Sequence, residues 1–173
     1  MSVIAPAYKA RLREAQNLFR SQEKVQAFKL AKTLYKEFPQ VEGVVDFHNA
    51  VARSILMLAK TKLQSEDYEI AIHYAQLLLG NETHQELVHK ILLEAARAGL
   101  SAKERVALLY QVCQYDPKNT SCWREIALCV HTLDPNAANI EICFDVLKAL
   151  PGHNEAIHGL NLLIKNHTAE ISP

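Results

Sequence analysis

The stretch Asp67-Tyr68-Glu69-Ile70-Ala71-Ile72-His73-Tyr74-Ala75 decides the fold class of this 173-residue chain. It begins a helix predicted for residues 68–79, and the pair Gly80-Asn81 ends that helix, because glycine readily adopts the backbone conformation that closes a helix. Ala71 and Ala75 are small enough to let a second helix approach closely, where large side chains would hold the two helices apart. The stretch therefore predicts one member of a closely packed helix pair.

Composition and apolar spacing extend this helical prediction to the whole chain. Hydrophobic residues make up 49% of the sequence, which is enough to bury a core and excludes general disorder. Five glycines and six prolines are too few for a turn-rich all-β protein. Apolar residues at three- and four-residue spacing predict nine helices. These are two helices within 8–38, broken near 21–22, and then helices over 44–63, 68–79, 85–98, 101–115, 121–133, 138–150 and 154–165.

The ends of these helices recur along the chain. Pro117 and Pro151 each end the second helix of a pair and lie 34 residues apart, and counting back the same distance from Pro117 reaches Thr83. Pro39 ends the first pair, because a proline ring cannot continue a helix. Small residues recur at fixed distances before these closing positions, where we expect helices to cross; they are Ala15, Ala59, Ala127, Ala27, Ala71, Ala31, Ala75 and Cys143. In the third pair Leu93 and Arg105 occupy the corresponding sites.

This arrangement resembles the tetratricopeptide repeat, a helix-turn-helix unit with small residues where its helices cross and a proline at its close. The 67–75 stretch is similar to the family's usual second helix, and Trp123 after Asp116-Pro117-Lys118-Asn119 is similar to its aromatic residue near the start of a first helix. The resemblance implies one all-α domain over 1–173, an α-solenoid of antiparallel helix pairs. Its parts are about four pairs, at 8–39, 44–83, 85–117 and 120–151, and a C-terminal capping helix at 154–166.

The resemblance also implies a non-enzymatic protein-binding scaffold or adaptor whose first helices line a concave groove. Carried onto this chain, the family's groove positions give twenty residues, of which seven are basic and one is acidic. We therefore expect the groove to bind an acidic peptide or helix of a partner protein, whose apolar side chains contact the apolar groove positions. The candidate partner-binding residues are Lys9, Leu12, Gln16, Phe19, Arg20, Arg53, Leu56, Lys60, Leu63, Lys90, Arg97, Arg124 and His131.

The charge distribution agrees with a basic binding surface. The chain has 19 basic and 19 acidic residues, so its formal net charge is zero, yet residues 1–40 hold eight basic and only three acidic residues. A zero total excludes a generally basic coat for nucleic acid but allows a local basic groove. Two other functions stay open: a secretion-type chaperone for an aggregation-prone client and, less favoured, a nucleic-acid-binding helical repeat using Lys9, Arg13, Arg20, Arg53 and Lys60.

Nothing in the sequence predicts catalysis. The pairs His84/His89 and His153/His158 are each five residues apart, without the order of a zinc-protease motif, and the chain has neither a GxSxG motif nor a glycine-rich phosphate loop. We expect no catalytic residue, no metal and no cofactor. Four cysteines, Cys113, Cys122, Cys129 and Cys143, are predicted to be buried and unpaired. The chain begins without a signal-peptide pattern and contains no long apolar run, so we expect a cytoplasmic protein that does not enter a membrane.

Overall fold

The protein is all-helical over the residues that its structure, a computed structural model, describes; these are residues 5–171, with side chains over 8–169. Nine α-helices follow one another within this part of the chain, and helices that are consecutive in sequence pack in pairs. They are α1 (Ala5–Arg20), α2 (Lys24–Glu37), α3 (Glu42–Gln64), α4 (Tyr68–Leu77), α5 (Gln85–Gly99), α6 (Ala102–Tyr115), α7 (Thr120–Cys129), α8 (Ala137–Ala149) and α9 (Asn154–Ile171). Short 3-10 turns at Glu82–His84 and Val130–Thr132 complete the order.

Local sequence signals mark the ends of several helices. The α2 helix ends two residues before Pro39. At the start of α6 the Ser101 side chain accepts a hydrogen bond from the backbone N–H of Glu104, while the Glu104 carboxylate accepts one from the backbone N–H of Ser101. This reciprocal cap satisfies two amide donors that have no partner within the helix. Gly80 and Gly152 both have positive φ, 78° and 79°, in the turns after α4 and α8.

Three helices end two or more residues away from their predicted C-terminal ends. The α4 helix ends at Leu77, because Leu78 and Leu79 donate to carbonyls three residues back, which tightens the last turn. In the same way α7 ends at Cys129 and continues as the 3-10 turn Val130–Thr132. The α9 helix runs to Ile171 instead of residue 165, since no glycine or proline interrupts residues 160–171.

The chain divides into two compact units, Met1–Val88 and His89–Pro173. In the first unit α1 packs on α2, α2 on α3, and α3 on α4. Its core includes a cluster around the fully buried residues Ala15, Leu34 and Val44. The partly buried residues packed against this cluster are Tyr8, Leu12, Leu30, Phe38, Val41 and Phe47.

In the second unit α6 packs on α7 and α8 packs on α9, and α7 also contacts α8 and α9. Trp123 is buried at the start of α7, and its indole Nε1 donates to the carbonyl of Pro117 at 2.9 Å. Gly159 of α9 packs against the side chain of Val130. The four cysteines are buried and free, as predicted.

The predicted small residues all lie in the core. None of the eight exposes more than 1% of its surface; they are Ala15, Ala27, Ala31, Ala59, Ala71, Ala75, Ala127 and Cys143. At the corresponding sites of the third pair, Leu93 and Arg105 are half-buried. The regular spacing therefore identifies core positions, and the prediction that helices cross there stays a prediction. The prediction of a single domain over 1–173 stays a prediction.

Candidate partner-binding surface

Arg53, Met57 and Lys60 lie along the exposed side of α3, and we call these three residues the α3 stripe. Their spacing of four and then three residues puts their side chains on one face of the helix. The opposite face, which includes Ile55 and Ala59, is fully buried. The core therefore fixes which side of α3 the stripe occupies.

Met57 is the apolar member of the α3 stripe, and the sequence prediction had assigned that role to Leu56. The structure corrects this assignment, because Leu56 is only 5% exposed whereas Met57 is 58% exposed. Leu56 lies four residues after the fully buried Ala52, so it falls on the core face of the helix. Met57 lies four residues after Arg53 and three before Lys60, and this spacing was the sequence signal that could have identified it.

The two cations of the α3 stripe carry uncompensated charge. Among the residues whose side chains the structure describes, no carboxylate lies within ion-pair distance of Arg53 or Lys60. The neighbouring Lys62 differs, since its Nζ lies 2.8 Å from a carboxylate oxygen of Asp67, and the hydrogen bond between them raises the pKa of Lys62. The stripe thus exposes two unpaired positive charges on either side of an apolar side chain.

On α1 the predicted residues separate into exposed and packed positions. Lys9 and Arg20 are exposed and Gln16 is half-buried. Leu12 is half-buried against the core cluster of the first unit. Phe19 is half-buried as well, and its ring meets the ring of Phe47 edge-on, with 6.1 Å between centroids and 89° between planes. Leu12 and Phe19 therefore contribute mainly to packing.

The contact between Phe19 and Phe47 also fixes how α1 and α3 are aligned. In the predicted repeat, Phe19 and Leu63 occupy equivalent positions. In the structure, Phe19 contacts Phe47, the sixth residue of α3, whereas Leu63 is half-buried near the other end of that helix. Arg53 lies six residues beyond Phe47, about 9 Å along the helix axis. The last turn of α1 thus contacts the second turn of α3. The α3 stripe begins beyond this contact, farther along the axis of the 23-residue helix.

In the second unit the four predicted residues have different surroundings. Lys90 is exposed, with its Nζ 3.9 Å from Glu94 Oε1. Arg97 has a half-exposed side chain, but its Nε donates to Glu125 Oε2 at 2.6 Å. Arg124 and His131 are exposed, and within the described residues neither has a carboxylate at ion-pair distance. Arg97 is therefore occupied in an ion pair.

Sequence reasoning missed the buried carboxylate of Glu125, which is 5% exposed. Besides its bond with Arg97, it accepts a hydrogen bond from Arg105 Nη1 at 2.8 Å. The second terminal nitrogen of Arg105, Nη2, donates to the carbonyls of Arg97 and Leu100 at 3.2 and 3.3 Å, which caps the C-terminal end of α5. Arg105 occupies a site where the predicted repeat expects a small residue, and the structure places an ion pair with Glu125 there.

Within the described part of the chain, no helix is both long and apolar enough to span a membrane. Nor does any group of three or more His, Cys, Asp or Glu side chains in that part have the geometry to hold a metal ion. Comparison with protein-family models gives no match, and no curated protein matches the sequence significantly.

Proposed function

We propose that this protein is a non-enzymatic scaffold, built from tetratricopeptide-like repeats, that binds an acidic and partly apolar helix or peptide of a partner protein on the α3 stripe. The observation that carries the proposal is the combination of exposed, unpaired Arg53 and Lys60 with the exposed Met57 between them. Lone exposed apolar residues are common on protein surfaces. An exposed methionine between two unpaired cations fits a partner segment that supplies both an apolar side chain and carboxylates.

The chemistry of each side chain favours this kind of partner. A methionine side chain is flexible and polarizable, so it adapts to apolar side chains of different shape. Arginine can donate two parallel hydrogen bonds to one carboxylate, and lysine provides a compact positive charge. Together they suit a segment in which carboxylates surround an apolar residue.

The spacing of the α3 stripe specifies the partner further. Arg53 and Lys60 are seven residues apart, so their Cα atoms lie about 10 Å apart along the axis, or about two helical turns. A partner helix packed alongside α3 would match the spacing of the stripe if it carried an acidic residue, an apolar residue about one turn later, and a second acidic residue about two turns after the first. Such a motif presents all three side chains on one face of the partner helix.

The positive charge of the N-terminal helices also favours an acidic partner. Lys9 and Arg20 on α1 are exposed, and residues 1–40 hold eight basic and three acidic residues. This excess of positive charge attracts an acidic segment before contact and raises its association rate. Salt screens such attraction over roughly 8 Å at physiological ionic strength, so binding should weaken as salt increases.

The experiment measures fluorescence anisotropy of a labelled helix-forming peptide that has glutamates at positions i and i+7 and leucine at i+4. We expect the double variant Arg53→Glu/Lys60→Glu to bind this peptide at least about tenfold more weakly than the native protein. The matched control is Arg13→Glu/Lys29→Glu, which changes the net charge equally at two exposed positions on α1 and α2. Equal weakening in both variants would reduce the effect to net charge and refute the proposed site.

Two further arms separate the classes of partner. A peptide with leucine replaced by serine should bind more weakly, because it loses the contact with Met57. Single-stranded nucleic acid that binds more tightly than the acidic peptide, with a steep loss of affinity as salt rises, would overturn the proposal in favour of a nucleic-acid binder.

A further inference from the structure

A small cavity in the first unit has no role in the proposed partner binding. Its volume is about 200 Å³, and it lies where α2, the first half of α3 and the 80–83 turn meet. The α3 stripe is not among its lining residues. Pockets for drug-sized ligands usually have volumes of roughly 300 Å³ or more. This smaller cavity therefore suits a chemical group of a few atoms.

One wall of the cavity is the buried imidazole of His48. This side chain is 6% exposed and stacks between Tyr35, at 4.6 Å between ring centroids, and Phe28, at 5.7 Å. Its Nδ1 is buried and has no hydrogen-bond partner. Leaving a buried polar atom without a hydrogen-bond partner is energetically unfavourable, so such an atom beside a cavity indicates a position where a ligand group can bond.

The 80–83 turn contributes a second unpartnered polar atom. The Oδ1 of Asn81 accepts hydrogen bonds from the backbone N–H of Thr83 at 3.2 Å and from its hydroxyl at 2.7 Å. These bonds fix the orientation of the amide, and its Nδ2 stays buried without an acceptor. Because Nδ2 can only donate, the group it lacks is a hydrogen-bond acceptor.

The charges around the cavity are mainly positive. Lys32 and Lys36 line it from successive turns of α2, and among the described side chains neither has a carboxylate within ion-pair distance. Burial and then the charge of Lys36 lower the pKa of Lys32. Glu82 is the one acidic lining residue, and it is exposed. The cavity is therefore lined by two lysines without a carboxylate partner among the described side chains and by Asn81, and the Lys32 ammonium also lies 5.9 Å from the centroid of the Phe28 ring.

We propose that this cavity binds a phosphate group, held by the ammonium groups of Lys32 and Lys36, the amide Nδ2 of Asn81 and the imidazole of His48 in the tautomer that carries its proton on Nδ1. A phosphate monoester carries a charge between about −1.5 and −2 and three strong acceptor oxygens, which matches two cations and donors from three chain segments. A carboxylate has one negative charge and only two oxygens, so it leaves part of this set unsatisfied.

The group can come from inorganic phosphate or from a phosphorylated side chain, and the experiment distinguishes these sources. Isothermal titration calorimetry at low ionic strength compares inorganic phosphate, a blocked phosphoserine and acetate. We expect a Kd for phosphate near or below about 1 mM and much weaker binding of acetate. Tighter binding of blocked phosphoserine than of inorganic phosphate assigns the site to a modified side chain, and the reverse order assigns it to the free ion.

Two variants test the site itself. Asn81→Asp keeps an oxygen for Thr83 but replaces the unpartnered donor with a negative charge, and Asn136→Asp makes the same change at another helix cap, where Asn136 accepts from the N–H of Asn139. Lys32→Gln/Lys36→Gln removes both cations, and Lys24→Gln/Lys29→Gln is its control on the same helix. We expect at least about a tenfold loss of phosphate affinity in the first variant of each pair.

Three results would overturn the proposal. They are no detectable phosphate binding by the native protein, binding of acetate as tight as that of phosphate, and an Asn81→Asp variant with native affinity. Circular dichroism of each variant establishes that it is folded before titration. Because none of these residues belongs to the α3 stripe, failure here leaves the proposed partner binding intact, and failure of peptide binding leaves this proposal intact.

Discussion

Glu125 on α7 accepts a hydrogen bond at 2.6 Å from Arg97 on α5, a residue 28 positions earlier in the chain. The carboxylate also accepts a bond at 2.8 Å from Arg105 on α6, so one buried acid links three helices. This relationship explains why Arg97, which the sequence predicts to face a partner, is held within the second unit. It also engages Arg105, which donates further hydrogen bonds to the carbonyls of Arg97 and Leu100.

Removing that carboxylate should destabilise the protein. We expect Glu125→Ala to lower the free energy of unfolding by about 3 kcal/mol, because two arginines lose the charge that balances them. Urea unfolding monitored by circular dichroism measures the change. The control is Lys103→Ala, which breaks an ion pair with Asp134 whose side chains are both more than half exposed and should cost less than about 1 kcal/mol. Equal losses in the two variants would contradict a structural role for Glu125.

Gly159 and Gly43 make opposite predictions for the same substitution. A Cβ at Gly159 would collide with Cγ2 of Val130, so Gly159→Ala should destabilise by about 1–3 kcal/mol. A Cβ at Gly43 meets nothing within 4 Å, so Gly43→Ala should stabilise α3 by up to about 1 kcal/mol. Thermal unfolding of both variants checks the signs. A stabilising Gly159→Ala would show that α9 does not pack on Val130 in this way.

The crossing of α4 with its neighbour should reject a larger side chain. Ala71 is fully buried, and we expect Ala71→Leu to cost about 1–3 kcal/mol, because the extra methyl groups must displace packed atoms. Ala50→Leu makes the same change at an exposed position of α3 and should leave the unfolding free energy within about 0.5 kcal/mol of the native value. Chemical denaturation of the two variants gives the comparison. A change near zero for Ala71→Leu would mean that Ala71 does not mark a close crossing.

Tyr110 should give the protein a distinctive alkaline transition. Its hydroxyl donates to Asp145 Oδ2 at 2.6 Å, and this bond, followed by burial, raises its pKa from 10.0 to about 12. The raised pKa means that the unfolded state ionises first. The stability that the neutral tyrosine contributes is therefore fully present below pH 10 and is lost between pH 10 and about 12.

Ultraviolet absorbance of the phenolate measures this transition, by comparison of native protein with Tyr110→Phe. We expect the difference between the two titration curves to be centred near pH 12. The stability of Tyr110→Phe should also fall less steeply above pH 10 than that of the native protein. A difference centred near pH 10 would show that the hydroxyl of Tyr110 is not bonded to Asp145 in solution.

Local signals explain why the helices were predictable from the sequence. The Ser101 and Glu104 cap and the stop at Pro39 depend on residues within one turn of each other, so their effect can be read from adjacent positions. Burial of small residues such as Ala71 follows from spacing alone, because helix periodicity determines which positions share a face.

The surface was less predictable, for two physical reasons. One residue along a helix rotates a side chain by about 100°, so the adjacent residues Leu56 and Met57 differ in burial although the predicted cations of the α3 stripe are exposed. Charges on a surface also find partners far away in sequence, as Arg97 does with Glu125. The cavity beside His48 depends on three separated segments, and no short motif in the sequence marks it.

The central claim, that the α3 stripe contacts an acidic partner segment, has a direct spectroscopic test. The chain contains two methionines, Met1 and Met57, so a protein labelled with 13C in its methionine methyl groups carries one probe on the stripe. Met57→Leu assigns that signal by removing it. We predict that the Met57 methyl resonance shifts when the peptide with glutamates at i and i+7 and leucine at i+4 is added. The same peptide with lysines in place of both glutamates should cause no shift. A Met57 resonance that stays fixed while the acidic peptide binds would contradict the claim.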